Sequence, residues 1–105
     1  MDTGIESTPD AEVSCVAITV AKSGYEDKVA RALEALIEPV RKEHGVIQYE
    51  MYRDPNEQQR FVFIERWETM EDFNRHCVAP HIEAYLKLTD GWLEHKAFYA
   101  LKKVR

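Results

Sequence analysis

Cysteine is scarce: Cys15 and Cys77 are too few for a disulfide framework and form no C-x-x-C pair. Cys15 falls in a β-branched stretch, where it reads as a small buried apolar residue. Glycine is nearly as sparse, at four residues, and no G-x-G-x-x-G occurs, so no nucleotide or flavin site is indicated. No H-x-x-x-H or carboxylate triad is visible, and His76 and His81 are not spaced for one helical face, so no metal is expected. No apolar run approaches the ~20 residues of a membrane span. The stretch Met1 to Glu12 has neither the basic nor the apolar region of a signal peptide. It is expected to be a disordered tail, with the cytoplasm as the default location. Basic residues do not dominate either: 14 Lys and Arg mix with 19 Asp and Glu, for a formal net charge of -5. That excludes a nucleic-acid-binding stripe.

What is present suits one small globular domain, with 45% apolar and 31% charged residues in 105. Val13 to Ala21 is rich in β-branched residues and predicts a strand. Ser23 with Glu26 has the form of a capping box. Val29, Leu33, Leu36, Ile37 and Val40 then recur at helical spacing, with a kink or break expected at Pro39. Arg41, Lys42 and His44 place positive charge at the helix end, and Gly45 stops it. Val46 to Arg53 and Arg60 to Trp67 predict two strands around the turn Asp54-Pro55-Asn56, paired as an antiparallel hairpin. Thr69 with Asp72 can cap a helix carrying Met70, Phe73, His76 and Cys77. Pro80 opens a further helical piece with Ile82, Tyr85 and Leu86 on its apolar face, ended by Asp90-Gly91. Leu93 to Leu101 is the last strand, followed by the basic tail Lys102 to Arg105. Strand, helix, strand, strand, helix, strand is the split βαβ, ferredoxin-like α+β order, over residues 13–101.

A four-stranded sheet with helices on one face usually alternates apolar and polar residues. These strands do not. Phe61, Phe63 and Trp67 point one way, yet Val62 and Ile64 point the other; Val16, Ile18 and Val20 oppose Cys15 and Ala17. The helical segments suffice for one face only. Each large apolar side chain left in water forgoes about 1.5–3 kcal/mol. Pairing of two sheets is the simplest cover, so a homodimer through the sheet faces is expected.

Four segments in this order resemble the antibiotic biosynthesis monooxygenase (ABM) domain: Ala21-Lys22-Ser23-Gly24, Glu43-His44-Gly45-Val46-Ile47-Gln48-Tyr49-Glu50, Phe61-Val62-Phe63-Ile64-Glu65-Arg66-Trp67, and Phe73-Asn74-Arg75-His76 through Ala79-Pro80-His81. The resemblance spans about Val13 to Leu101. It implies a dimeric α+β barrel and cofactor-independent oxidation of phenolic or quinol-like compounds by molecular oxygen. The same family holds an isomerase of a phosphorylated signal and haem-degrading relatives. The latter use a further histidine in the later helical piece, where this chain reads Glu83-Ala84-Tyr85.

On the hairpin, Ile47, Tyr49 and Met51 are expected to face the helices with Phe61, Phe63, Glu65 and Trp67, leaving Glu50 on the other face, where Arg66 can pair with it within or across the dimer. Glu65 is then a carboxylate on an aromatic face: a pocket acid, a group that orients a base, or a buried structural glutamate. His76 sits within an apolar helical pattern, where a lone histidine is commonly a core residue. The family match makes it the leading catalytic candidate, a base able to exchange a proton near neutral pH. The pocket expected between helices and hairpin makes Trp67, Phe63, Tyr49 and His81 the candidate substrate contacts, with His81 also a second candidate base. His44 reads as a helix-end charge and His95 as a surface residue. Three functions stand open: an oxygenase of a small aromatic or quinol-type substrate, an isomerase working through an enediol, and a non-catalytic ligand-binding dimer.

Overall fold

A computed structural model describes residues 11–105. Most of the expected N-terminal tail lies outside these; of its end, Glu12 pairs with Arg66 at 2.9 Å. The elements run β1 (Val13–Ala21), α1 (Glu26–Arg41), β2 (Val46–Arg53), β3 (Arg60–Trp67), α2 (Met70–Cys77), α3 (Pro80–Leu88) and β4 (Leu93–Leu101). The strands form one antiparallel sheet in the order β2-β3-β1-β4, the ferredoxin-like arrangement. Among the described residues no helix is long and apolar enough to cross a membrane.

The helices cover one face. Val29, Leu33, Leu36 and Val40 of α1 are buried against Phe61, Phe63, Trp67, Tyr49 and Cys15. Register fixes which strand residues share that face: Cys15 lies beside Glu65, and Glu65 beside Tyr49; Ala17 lies beside Phe63 and Phe98. The opposite face carries Val16, Ile64 and Tyr99 in one row and Ile18, Val62 and Tyr52 in the next.

Four local expectations change. Ser23 does not cap α1, whose N-cap is Tyr25; the Glu26 carboxylate instead accepts a hydrogen bond from the Gly24 N–H at 2.9 Å. No break occurs at Pro39: the helix runs through it and ends two residues on, at Arg41. Ile47 is exposed rather than turned to the helices, because the β2–β3 register shifts between Val46 and Gln48 and brings Val46 to the core side. Within the chain Glu50 does not pair with Arg66: its Oε1 accepts from Gln48 and Tyr52, while Arg66 reaches Glu12.

Candidate active site

A cavity of about 400 Å³ lies between α2, α3 and the β1–β4 side of the sheet. Phe73, Ile82, Leu86 and Phe98 give it apolar walls. Its polar side chains are Glu65, His76, Cys77, Thr19 and Lys96. Phe73 and Phe98 stack at 5.4 Å and close one side.

His76 reaches the cavity because α2 is held firmly at its start. The Thr69 hydroxyl accepts from the Asp72 N–H at 3.0 Å and donates to the Asp72 carboxylate at 2.9 Å. Two turns later the imidazole is buried, lying on the Trp67 indole at 4.5 Å with the edge of Tyr49 at 5.8 Å. Its Nδ1 is 3.0 Å from Glu43 Oε2. A carboxylate has no proton to give, so Nδ1 donates and Nε2 is left as the basic nitrogen. That Nε2 faces Glu65 Oε1 at 3.9 Å, too far for a hydrogen bond. Glu65 Oε1 already accepts from Trp67 Nε1 at 3.0 Å.

Glu43 is the residue that the sequence reading passed over. It follows α1, where its N–H bonds to the Val40 carbonyl, and Gly45 at φ +86° then turns the chain into β2. The turn throws the carboxylate across to α2, and the same Oε2 also lies 2.6 Å from His81 Nε2. On one continuous helix, residues five apart would point about 140° away from each other. The break at Val78–Ala79, with Pro80 as the first residue of α3, bends the chain and brings both histidines to one oxygen. The only hint in the sequence was that Glu43 opens the Glu-His-Gly segment.

The other sequence candidates fall around this centre rather than on it. Trp67, Phe63 and Tyr49 are buried in the core beneath His76 and Glu65 and do not line the cavity. His81 lies outside the lining as well and opens to a neighbouring recess. The cavity therefore sits toward β1 and β4, with the hairpin contributing Glu65 alone. His44 is exposed and bonds to Asp72 at 2.9 Å; His95 is exposed on β4.

Burial, with the nearby Glu65 charge adding to it, pushes the Tyr49 hydroxyl and the Cys15 thiol well above their ordinary ranges. Burial likewise raises Cys77, again with Glu65 contributing. These groups stay protonated and neutral, and Cys77 is no thiolate nucleophile. Of the titratable groups that line the cavity, His76, Glu65 and Lys96 remain. Among the described residues no cluster of three or more His, Cys, Asp or Glu is arranged for a metal.

The family profile described as antibiotic biosynthesis monooxygenase matches residues 14–88. The chain belongs to the ABM family. Solved structures agree with this ABM fold. PA3566 from Pseudomonas aeruginosa is 24% identical, with a TM-score of 0.86 over 92% of this chain and 98% of that one. SO0527 from Shewanella oneidensis is 28% identical, with a TM-score of 0.79 over 88% and 92% of the two chains. Rv0793 from Mycobacterium tuberculosis is 22% identical, with a TM-score of 0.84 over 90% and 97%. No functionally curated protein matches the sequence. Membership of the ABM family supports a general monooxygenase-like role and leaves the reaction to be argued from the cavity.

Proposed function

We propose that this chain is a cofactor-independent monooxygenase that oxidises a small aromatic or quinol-type compound with molecular oxygen, working as a homodimer. The observation that carries the reading is His76 in the wall of an apolar cavity, its Nδ1 bonded to Glu43 and its Nε2 turned toward Glu65, which also lines the cavity. Glu43 fixes the imidazole orientation, as an orienting carboxylate does for a histidine base. A phenolic O–H in the cavity gives its proton to Nε2. The electron-rich anion passes an electron to oxygen, and the radical pair joins as a C–O bond. His76 returns the proton to the peroxide; the C–H bond at the oxygenated carbon and the O–O bond then break, so that the carbon becomes a carbonyl and the C–H proton leaves with the departing hydroxide as water. One oxygen atom stays on carbon, the other departs in water, and the substrate supplies all the electrons.

The test is an oxygen electrode with a panel of quinols and hydroxylated aromatics, 1,4-naphthohydroquinone among them. Uptake above spontaneous autoxidation is expected from the wild type. A flat response across the panel would overturn the reading.

One observation favours a second reading. Lys96 reaches the cavity from β4 and could hold a phosphate, whereas Arg41 is spent on the Tyr49 carbonyl at 2.9 Å. A phosphorylated hydroxy-ketone isomerised through an enediol would use the same histidine. It would exchange substrate hydrogen with solvent and consume no oxygen.

A further inference from the structure

Glu43 joins two spaces that are otherwise separate. The cavity is lined by His76 but by neither Glu43 nor His81. A second recess, of about 340 Å³, is lined by Glu43 and His81 but not by His76. Between them runs a chain of two hydrogen bonds, 3.0 Å from His76 Nδ1 to Glu43 Oε2 and 2.6 Å from that oxygen to His81 Nε2. Exposure rises along it, from 8% for the His76 side chain through 14% for Glu43 to 27% for His81.

We propose that Glu43 and His81 couple His76 to solvent for protons, so that uptake at His76 on the cavity side is answered by release from His81 on the outer side. The proposal rests on the reading of His76 as the cavity base. In the forward step a substrate O–H bond breaks and an Nε2–H bond forms on His76. At the far end an N–H bond of His81 breaks, and water in the recess takes the proton. No electrons move, and the order reverses when His76 gives its proton up.

The physical reason is that one carboxylate oxygen serves both rings. A positive charge on one ring opposes a charge on the other, and an unbalanced charge at the buried end is costly. Two sites coupled in this way titrate as a pair. The other groups facing them are accounted for. On the His76 side stand Glu65, bonded to Trp67, Lys96, which enters the cavity from β4, and the neutral Tyr49 and Cys77. On the His81 side stand His44 and Arg75, each bonded to the Asp72 carboxylate. His81 and Glu43 are positioning and relay residues; neither lines the cavity.

The experiment is a titration of the histidine ring nitrogens by ¹⁵N NMR on the full chain without substrate, in the wild type, Glu43→Gln and His81→Gln. Glutamine at 43 keeps a carbonyl oxygen that both rings can bond, and glutamine at 81 keeps an N–H donor. A merely structural role would therefore survive both changes. In the wild type, His76 and His81 should share two inflections, with protonation of either lowering the other's proton affinity about ten-fold. Glu43→Gln should reduce each ring to one independent inflection, and His81→Gln should do the same to His76. Single independent inflections in the wild type, or shared ones retained in Glu43→Gln, would overturn the coupling. If Glu43→Gln does not fold, His81→Gln decides the matter alone. Because no turnover is read, the outcome is separate from whether the oxygenase reading holds.

Discussion

His76 stands between two carboxylates that do different things. Glu43 takes its Nδ1–H and sets the ring, while Glu65 faces Nε2 without bonding it. Losing a positioned general base costs ~10²–10⁴-fold in rate. His76→Ala should therefore lose at least about 100-fold in turnover on a confirmed substrate, with the circular dichroism spectrum unchanged. Trp67 belongs to a different class. It is fully buried and supports both His76 and Glu65 from below, so Trp67→Ala should act on stability, by about 3–5 kcal/mol in a denaturant titration. His76 and Glu65 stood out in the sequence as polar residues interrupting an apolar period, but it was the family resemblance that made His76 the leading candidate base. Glu43 was not, because it lies past a helix end, where periodicity carries no information. Its partner is 33 residues away, and only the Gly45 turn and the Pro80 break bring the two together. The indole and phenyl rings of the hairpin face were readable as aromatic and inward, but a sequence does not distinguish the floor beneath a cavity from its wall.

The elements depend on a few terminal contacts, and these too were unevenly readable. Thr69 caps α2 as its spacing predicts, since a hydroxyl before a helix needs only local geometry. Ser23 fails because the chain enters α1 two residues later, and Ile47 turns outward because a register shift leaves no trace in composition. The junction of Gly45 with α2 offers the clearest test. Gly45 holds φ at +86°, and a Cβ there would strike the Asp72 side chain. Gly45→Ala should destabilise by about 1–3 kcal/mol, seen as a lower melting temperature. Asp72 adds a pH dependence. A hydrogen bond from His44 first, then those from Thr69 and Arg75, hold its carboxyl below the ordinary value of 3.8. A carboxyl lowered in the folded state stabilises fully above its unfolded value. That contribution is lost as pH falls through the lowered one. Asp72→Asn should accordingly flatten the acid limb of stability below about pH 4 in a thermal-melt series, leaving the profile above it parallel to the wild type.

The whole molecule presents a sheet with one face covered and one open. Tyr52, Ile64, Tyr99 and Leu101 are exposed large apolar residues on the open face, arranged around the half-buried Val16, Ile18, Val20 and Val62. The sequence disclosed this, because strands apolar on both sides need two covers and the chain has helices for one. Contiguous apolar patches of this kind on soluble proteins mark interfaces. A two-fold interface would set the same rows of the partner's sheet against these, each large side chain contributing about 1.5–3 kcal/mol when fully buried. Ile64 is the informative position: it lies between Val16 and Glu50 on neighbouring strands, and its side chain points away from the cavity. Sedimentation velocity at micromolar concentration should show a dimer for the wild type. Ile64→Lys should shift the population toward monomer, because a charge placed among apolar residues loses its hydration on burial, a cost that the neighbouring Glu50 repays only in part. Its α1 core and the His76–Glu43 bond lie on the other side of the sheet, so secondary structure and the ring resonances of His76 should persist in that monomer. A wild type that sediments as a monomer would remove the dimer from the proposal and leave the cavity argument standing, since His76, Glu43 and Glu65 are set by contacts within the chain.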